Sequence, residues 1–311
     1  MPNKPLISAV INVHNEAESL SVCLKSLQGF ADELIVVDMQ STDASAKVAD
    51  SFNAKVYPHR FLPYVEPARN FGISKATGKW IMILDPDEYL NKSLKAELRR
   101  LTSREDVDFV KIPRKNIIFG KWLRHSNSWP DYLIRFFRQG TLSWNKEIHS
   151  QPQTKGNSLT LLDSEKLAIR HHNYQSIFDF VQRALRYSRV QADELGAAKY
   201  VLKTSDFILK PVQEFNSRFF AAQGYKDGLH GLVFCLLQTF AILLVYLSLW
   251  EKQGFTDKVL SKDSFVSASL ETNYEYAYWF SKYFKEEYTK NIFKRLLIRF
   301  SLLFNRLTKN F

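Results

Sequence analysis

Apolar residues along the first hundred positions recur with two alternating periods. ISAVINV (7–13) is an unbroken apolar run suited to a strand covered on both faces. Leu20, Cys23, Leu24 and Leu27 then follow helical spacing within 16–27. ELIVVD (33–38) predicts a second strand, and Ser41, Thr42 and Asp43 offer N-cap chemistry for a helix reaching Phe52. AKVYP (54–58) and KWIMILD (79–85) predict two more strands, with helices over 67–76 and 93–101. This alternation predicts an α/β, Rossmann-like fold: a mostly parallel sheet flanked by helices.

The pattern changes further on. Between Val107 and Trp144 it is strand-like and aromatic (DFVKIP, NIIFGKW, YLIRFFR, TLSW), and a helix is predicted over 176–195. Residues 228–250 contain no Asp, Glu, Lys or Arg, and KNIFKRLLIRFSLLFNRLTKNF (290–311) is basic and apolar with no acid. The expected organisation is a nucleotide-binding catalytic domain over 1–205 and a helical, membrane-associated region over 206–311. About 20 apolar residues suffice to cross a bilayer, so 228–250 is long enough to span one. His230, Gln238 and Thr239 in its interior also fit a core helix partly buried against protein; of the membrane placements, a shallow or re-entrant one is expected over a full crossing. The terminal segment reads as a basic amphipathic helix lying in an anionic headgroup layer.

Composition narrows the partners. A hydrophobic share of 45% over 311 residues excludes a disordered chain, and the formal charge of +11 asks for an anionic partner. The basic residues gather at the C-terminal segment rather than in an aromatic-interleaved groove, so nucleic acid is not expected. Two cysteines, Cys23 and Cys235, lie in apolar stretches and fit a reducing compartment. The first strand is too short for a signal peptide, so the catalytic part is expected at the cytoplasmic face of the cell membrane.

Polar residues fall at the carboxyl ends of the predicted strands, where such sheets bind ligands. His14, Asn15 and Glu16 follow the first, Asp38 closes the second, and Asp85-Pro86-Asp87-Glu88 closes the fourth. Carboxylates two apart at a strand end can converge on Mg²⁺ or Mn²⁺ with substrate phosphates as further ligands; alone, the pair equally describes a solvated acidic turn. Asp38 suits a base or ribose, or a helix cap. Arg69 suits a phosphate, or an ion pair with Glu66.

Together, AVINVHNEAESL, ELIVVDMQSTDAS, PARNFGISKATGKWIMILDPDE and WPDYLIRFFR resemble a family 2 glycosyltransferase of GT-A fold. The closer likeness is to the bacterial branch resembling lipopolysaccharide-core β-glucosyltransferases. Weaker matches run through KEIHS (146–150) and RHHNY (170–174) to GYKDGLHG (224–231). The resemblance implies a nucleotide-diphosphate sugar donor (UDP-sugars foremost), a divalent metal, Mg²⁺ or Mn²⁺, and inverting transfer of a hexosyl group to a lipid-linked or envelope glycan. It carries Val13, Asn15, Glu16, Asp38, Arg69 and Asp85 to the donor site, and Asp85 and Asp87 to the metal. Met39-Gln40 replaces a frequent Asp-Gly, and Pro86 a frequent Ala. An inverting transfer needs a general base; Asp131 is the first candidate and Glu147 the second, although Asp131 also reads as a turn residue after Pro130. His149 is a candidate third metal ligand. His171 and His172 could touch phosphate or be structural, and Arg135 and Arg138 suit a wet strand face. The alternatives in other classes are a nucleotidyltransferase acting on a sugar phosphate and a non-catalytic binding module. The acidic HNEAE after the first strand argues against a triphosphate loop.

Overall fold

The computed structural model describes residues 6–62, 65–144, 152–257 and 261–288. Glu147, His149 and the basic segment 290–311 lie outside them. The chain forms two compact units, residues 1–122 with 128–173, and residues 123–127 with 174–311.

The first unit is built on a ten-stranded mixed sheet of order β3-β2-β1-β4-β8-β6-β12-β5, with β7 and β11 both pairing with β6. Its parallel part comprises β1 (Ile7–Val13), β2 (Glu33–Asp38), β3 (Lys55–Pro58) and β4 (Trp80–Leu84). Helices α1 (Ala17–Leu27), α2 (Ser45–Ser51) and α3 (Glu66–Lys75) connect these strands, as the periodicity predicts. After β4 come β5 (Glu88–Tyr89), α4 (Lys92–Leu101), β6 (Phe109–Ile118), β7 (Lys121–Trp122) and β8 (Asp131–Arg138). The sheet turns antiparallel where β8 meets β4, in the register Met82↔Phe136, beyond the parallel run β3-β2-β1-β4. β9 (Leu142–Ser143) pairs with β10 (Gln153–Thr154), β11 (Ser158–Thr160) lies parallel to β6, and β12 (Ile169–Tyr174) pairs with β5.

Strand β1 is buried along its whole length, and its side chains alternate between two cores. Ile7, Ala9, Ile11 and Val13 pack with Leu20, Leu24 and Leu27 of α1 and Leu94, Leu98 and Leu101 of α4. Val10 packs on the other face with Ile35, Ile81, Ile83 and Phe137. Helix α3 lies close over that face because Gly72 has no side chain; a Cβ there would stand 2.5 Å from Val10 Cγ1. Asp43 serves the starts of two helices: its Oδ2 accepts from Ala17 N of α1 at 3.0 Å, and its Oδ1 from Ser45 N, the first residue of α2, at 2.9 Å.

In the second unit, α5 (Ile177–Ala197) packs on α7 (Leu229–Lys252), and α6 (Asp206–Asn216) packs on both α7 and α8 (Lys262–Tyr288). The sequence drew its line at 205; the structure groups α5 with the C-terminal helices. GYKDGLHG is a packing motif. A Cβ on Gly231 would fall 2.0 Å from the Gly224 carbonyl oxygen, and Asp227 accepts from Arg124 N, His125 N and His125 Nδ1.

Buried Glu33 ties the rear of the parallel strands together. Its carboxylate accepts from Ser8 Oγ, Lys55 Nζ, and both Thr77 N and Thr77 Oγ1. Burial opposes its ionisation, but the Lys55, Ser8 and Thr77 donors outweigh that effect and lower its pKa. A depressed folded-state pKa contributes stability above the unfolded value of about 4.3, lost as pH falls through the folded one. Glu33→Gln is therefore expected to cost about 2 kcal/mol at pH 7, with the gap to wild type closing in urea melts below about pH 4.

Candidate active site

The acidic motif after β4 is a tight turn. Glu88 N donates to Asp85 O at 2.9 Å, and Glu88 Oε2 accepts from Asp85 N at 3.0 Å. Proline is favoured at the second position of such turns, which is where Pro86 stands. The turn sends Asp85 and Glu88 inward. Asp85 Oδ1 accepts from Arg69 Nη2 at 2.8 Å and Oδ2 from Arg135 Nη2 at 2.5 Å. Glu88, fully buried, accepts through Oε1 from Arg114 Nη1 at 3.0 Å and Arg135 Nη2 at 3.2 Å. Arg114 then reaches Asp131 Oδ2 through Nε at 2.9 Å and Nη2 at 2.7 Å.

These contacts correct two readings of the sequence. Arg69 pairs with Asp85, and Arg135, expected on a wet strand face, is 3% exposed and bound to two carboxylates. Arg138 too is turned inward: it lies 4.8 Å from the Trp80 ring centroid and donates to the Val107 and Arg104 carbonyls. Burial would raise the Asp85 carboxyl, but Arg135 and Arg69 together hold it far below the carboxylate range. For Asp131 the opposing effects are the same: burial raises, while Arg114 and Asn116 lower more strongly.

The turn leaves Asp87 facing a histidine. Its Oδ2 is 3.4 Å from His171 Nε2 on β12. The tautomer of His171 follows from its other neighbour, Asn116. Asn116 Nδ2 lies 3.0 Å from both Ser128 O and Asp131 Oδ2, which only accept, so Asn116 Oδ1 faces His171 Nδ1 at 2.6 Å and takes its proton. His171 Nε2 therefore faces a carboxylate, which an imidazolium satisfies by donating its second proton and a neutral ring satisfies through a cation held between the two. Among the described residues no three His, Cys, Asp or Glu side chains converge as a complete metal cage. Two protein donors of nitrogen and oxygen type suit a Mg²⁺ or Mn²⁺ completed by phosphate oxygens and water.

The remaining predicted donor residues line the same edge. Asp38 stands beside Val13 in the register, two strand spacings or about 10 Å from the end of β4. Its Oδ1 accepts from Ser41 N at 3.0 Å. Asn15, in the left-handed region at φ 54°, accepts from Thr42 N and Asp43 N and so stitches the β1 and β2 loops together. Glu16 N donates to Ser45 Oγ, and the Val13 carbonyl accepts from Met39 N. His14 holds Met39 O through Nδ1 and lies 4.5 Å from the Phe61 ring. Gln40 keeps a left-handed φ of 61° without being glycine, and its Oε1 accepts from Phe61 N at 3.2 Å.

The sequence missed Arg114 and Asn116. Both lie within β6, and their partners are 15 to 55 residues away in the chain. The one available signal was a charged and an amide residue inside an apolar strand (KIPRKNII).

Residues 8–156 match Glycosyl transferase family 2. A relative from Rickettsia felis named an uncharacterized glycosyltransferase is 27% identical over 286 residues, 86% of this chain and 97% of its own. Another so named, from Rickettsia bellii, is 28% identical over 257 residues, 76% of this chain and 84% of its own. Among solved structures, mannosyltransferase PcManGT from Pyrobaculum calidifontis, in complex with GDP-Man and Mn²⁺, aligns with a TM-score of 0.46 at 13% identity, over 99% of this chain and 88% of that one. Over residues 8–156 the chain is thus similar to Glycosyl transferase family 2, and that stretch, apart from 123–127, lies in the unit built on the mixed sheet. The chain is a glycosyltransferase.

Removing Arg135 would leave Asp85 and Glu88 each short of a cation in a buried setting. Arg135→Met is expected to lower unfolding free energy by about 3–5 kcal/mol. Adding Glu88→Gln should recover part of that loss, read as a coupling term in a double-mutant cycle of urea melts.

Proposed function

We propose that the enzyme transfers a hexosyl group with inversion from a nucleotide-diphosphate sugar, UDP-sugars foremost, to a lipid-linked or envelope glycan at the cytoplasmic face of the cell membrane. The observation that carries the donor half is the approach of His171 Nε2 to Asp87 Oδ2, 3.4 Å apart beside the carboxylate turn. We assign Asp87 and His171 as the protein's metal ligands; His149, outside the described residues, is the proposed third. The cation, Mg²⁺ or Mn²⁺, supplies neutralisation of the departing diphosphate. Asp85, fixed between Arg69 and Arg135, shapes the edge on which the donor lies, and Asp38 with the Val13–Glu16 loop offers acceptors and backbone groups to the base and ribose.

Asp131 is the proposed general base. Three donors occupy its Oδ2, so Oδ1 is the atom that would take the acceptor proton. Its lowered pKa keeps it ionised at neutral pH, while making it a weak base whose proton transfer accompanies attack rather than preceding it. Glu147 remains the second candidate, outside the described residues. The finer likeness to lipopolysaccharide-core β-glucosyltransferases motivates the envelope acceptor.

The membrane half of the proposal draws support from α7. At 24 residues it is about 36 Å long, with a mean hydropathy of 2.4 over its most apolar stretch, of which only 22% is buried. Leu229, Leu236 and Phe240 are exposed along it. A helix of this kind inserts into or onto a bilayer when nothing else covers it, and the basic segment 290–311 would add attraction to anionic headgroups.

Asp87→Asn should reduce Mn²⁺-dependent release of UDP from UDP-glucose and related donors by at least about a hundredfold, with the fold retained by circular dichroism. Turnover that persists in this variant and still needs Mn²⁺ would remove the assignment. On vesicles, flotation with phosphatidylglycerol should exceed that with phosphatidylcholine. Deleting 290–311 should abolish the part that 1 M salt disrupts, at a Debye length of about 3 Å, and leave a salt-resistant part due to α7.

A further inference from the structure

Beyond the donor edge, the first unit displays two tryptophans that no step so far uses. Strands β6 and β7 form a tight hairpin through Phe119 and Gly120, both left-handed at φ 51° and 78°, which places Trp122 opposite Ile117. Trp129 sits on the turn that enters β8. The two rings meet at right angles, with centroids 5.1 Å apart and planes at 86°. Both are only partly buried. Lys115 Nζ stands 4.5 Å from the Trp122 ring centroid and pairs with Glu165.

The placement of Trp129 is fixed by the site itself. Asn116 Nδ2 holds Ser128 O at one end of its turn and Asp131 Oδ2 at the other, each at 3.0 Å. The same amide, 5% exposed, sets the His171 tautomer through Oδ1. One buried side chain thus fixes the proposed base, a proposed metal ligand and the aromatic turn together. Such rigid support is what a binding site needs, and packing alone does not call for it.

Two aromatic faces at right angles, rimmed by an ammonium group and close in sequence to a carboxylate, match one ligand chemistry. A pyranose ring presents a face of C–H bonds, polarised positive, to the negative face of an indole, while its equatorial hydroxyls reach charged groups at the rim. We propose that the Trp122–Trp129 corner is the acceptor subsite, taking a pyranosyl ring, and that Asn116 is a positioning residue that holds it in register with Asp131. The proposal rests on Asp131 standing on the acceptor side, as in the function proposed above.

The test uses the full chain labelled with 5-fluorotryptophan. Its six tryptophans are assigned by Trp→Phe substitutions and followed by ¹⁹F NMR. Methyl β-D-glucopyranoside, methyl β-D-galactopyranoside and the methyl N-acetylglucosaminide are titrated to about 100 mM, where weak single-ring binding registers; glycerol is the control. Saturable shifts of Trp122 and Trp129 with at least one glycoside, absent with glycerol, are expected. Trp129→Ala should raise the half-saturating concentration read at Trp122 by about tenfold or more, with Trp129→Tyr as the substitute if the alanine variant does not fold. Asn116→Ala should weaken the response and also move the Trp129 resonance in the free protein. Flat resonances with all three glycosides, shifts equal to those of glycerol, or unchanged titration in Trp129→Ala would each overturn the assignment. Trp144 lies 5.3 Å from the Arg69 guanidinium and is tied to Asn70 by two hydrogen bonds. Its response to UDP with Mn²⁺ reports on the donor reading separately, so the two can fail independently.

Discussion

Charge buried at the junction of two strand directions sets the terms for the rest of the first unit. At β4 and β8 the sheet passes from parallel to antiparallel, and there the carboxyl end of one strand meets the amino end of another. Asp85 leaves β4 at that point, while Arg135 arrives on β8 and Arg114 on the neighbouring β6. Glu88, with no exposure, cannot remain ionised there without a cation, because transfer of an isolated carboxylate from water costs several kcal/mol even after relaxation. Two arginines on one of its oxygens, and a backbone N–H on the other, remove that penalty and lock β4, β6 and β8 at a fixed spacing. Apolar residues of similar volume would hold the sheet as firmly. They would not hold carboxylates ionised at the edge where a donor lies.

Asp85 and Asp87 look equivalent in the sequence, yet the turn gives them different tasks. Both oxygens of Asp85 are occupied by guanidiniums, which makes it an element of the frame. Asp87 faces His171 across β5 and β12, in the register His171↔Glu88. The Asn116 amide fixes the Nδ1 side of the His171 ring, so that Nε2 is the atom turned to Asp87. Metal-binding histidines commonly have their second nitrogen fixed in this way.

Much of this was legible in the residues. The four longer strands of the first hundred positions and the helices that follow them are legible from period, because local hydrophobic pattern decides those elements; the two-residue β5 is not. The edge carrying Asp38, Asp85 and Asp87 follows from strand order alone. Partnership did not. Arg135 read as solvated since a strand of alternating charge looks wet until the strand opposite is known, and the strand opposite ends in DPDE fifty residues earlier. Asp43 read as the cap of its own helix, and it does hold Ser45 N; its second contact, to Ala17 N of α1, was not legible because it lies 26 residues away. His171 read as an ordinary histidine since the amide that fixes its proton lies 55 residues away.

The second unit shows how a sequence match can carry packing rather than chemistry. Gly224 and Gly231 of GYKDGLHG meet so closely that no Cβ fits on Gly231, and Asp227 between them accepts from the Arg124 and His125 backbone N–H groups through Oδ2 and faces the His125 ring through Oδ1. Those contacts secure the start of α7 in its own unit. They demand glycine and aspartate at fixed spacing whatever the acceptor is, so the motif identifies how the helix is mounted and says little about the sugar transferred. The exposed apolar flank of α7 is a separate matter: among the described residues, packing leaves Leu229 73% exposed and Leu236 51% exposed, with Phe240 exposed beside them. Large apolar side chains of this kind cost free energy in water until other apolar groups cover them, and that cost is the physical basis of the membrane contact proposed above.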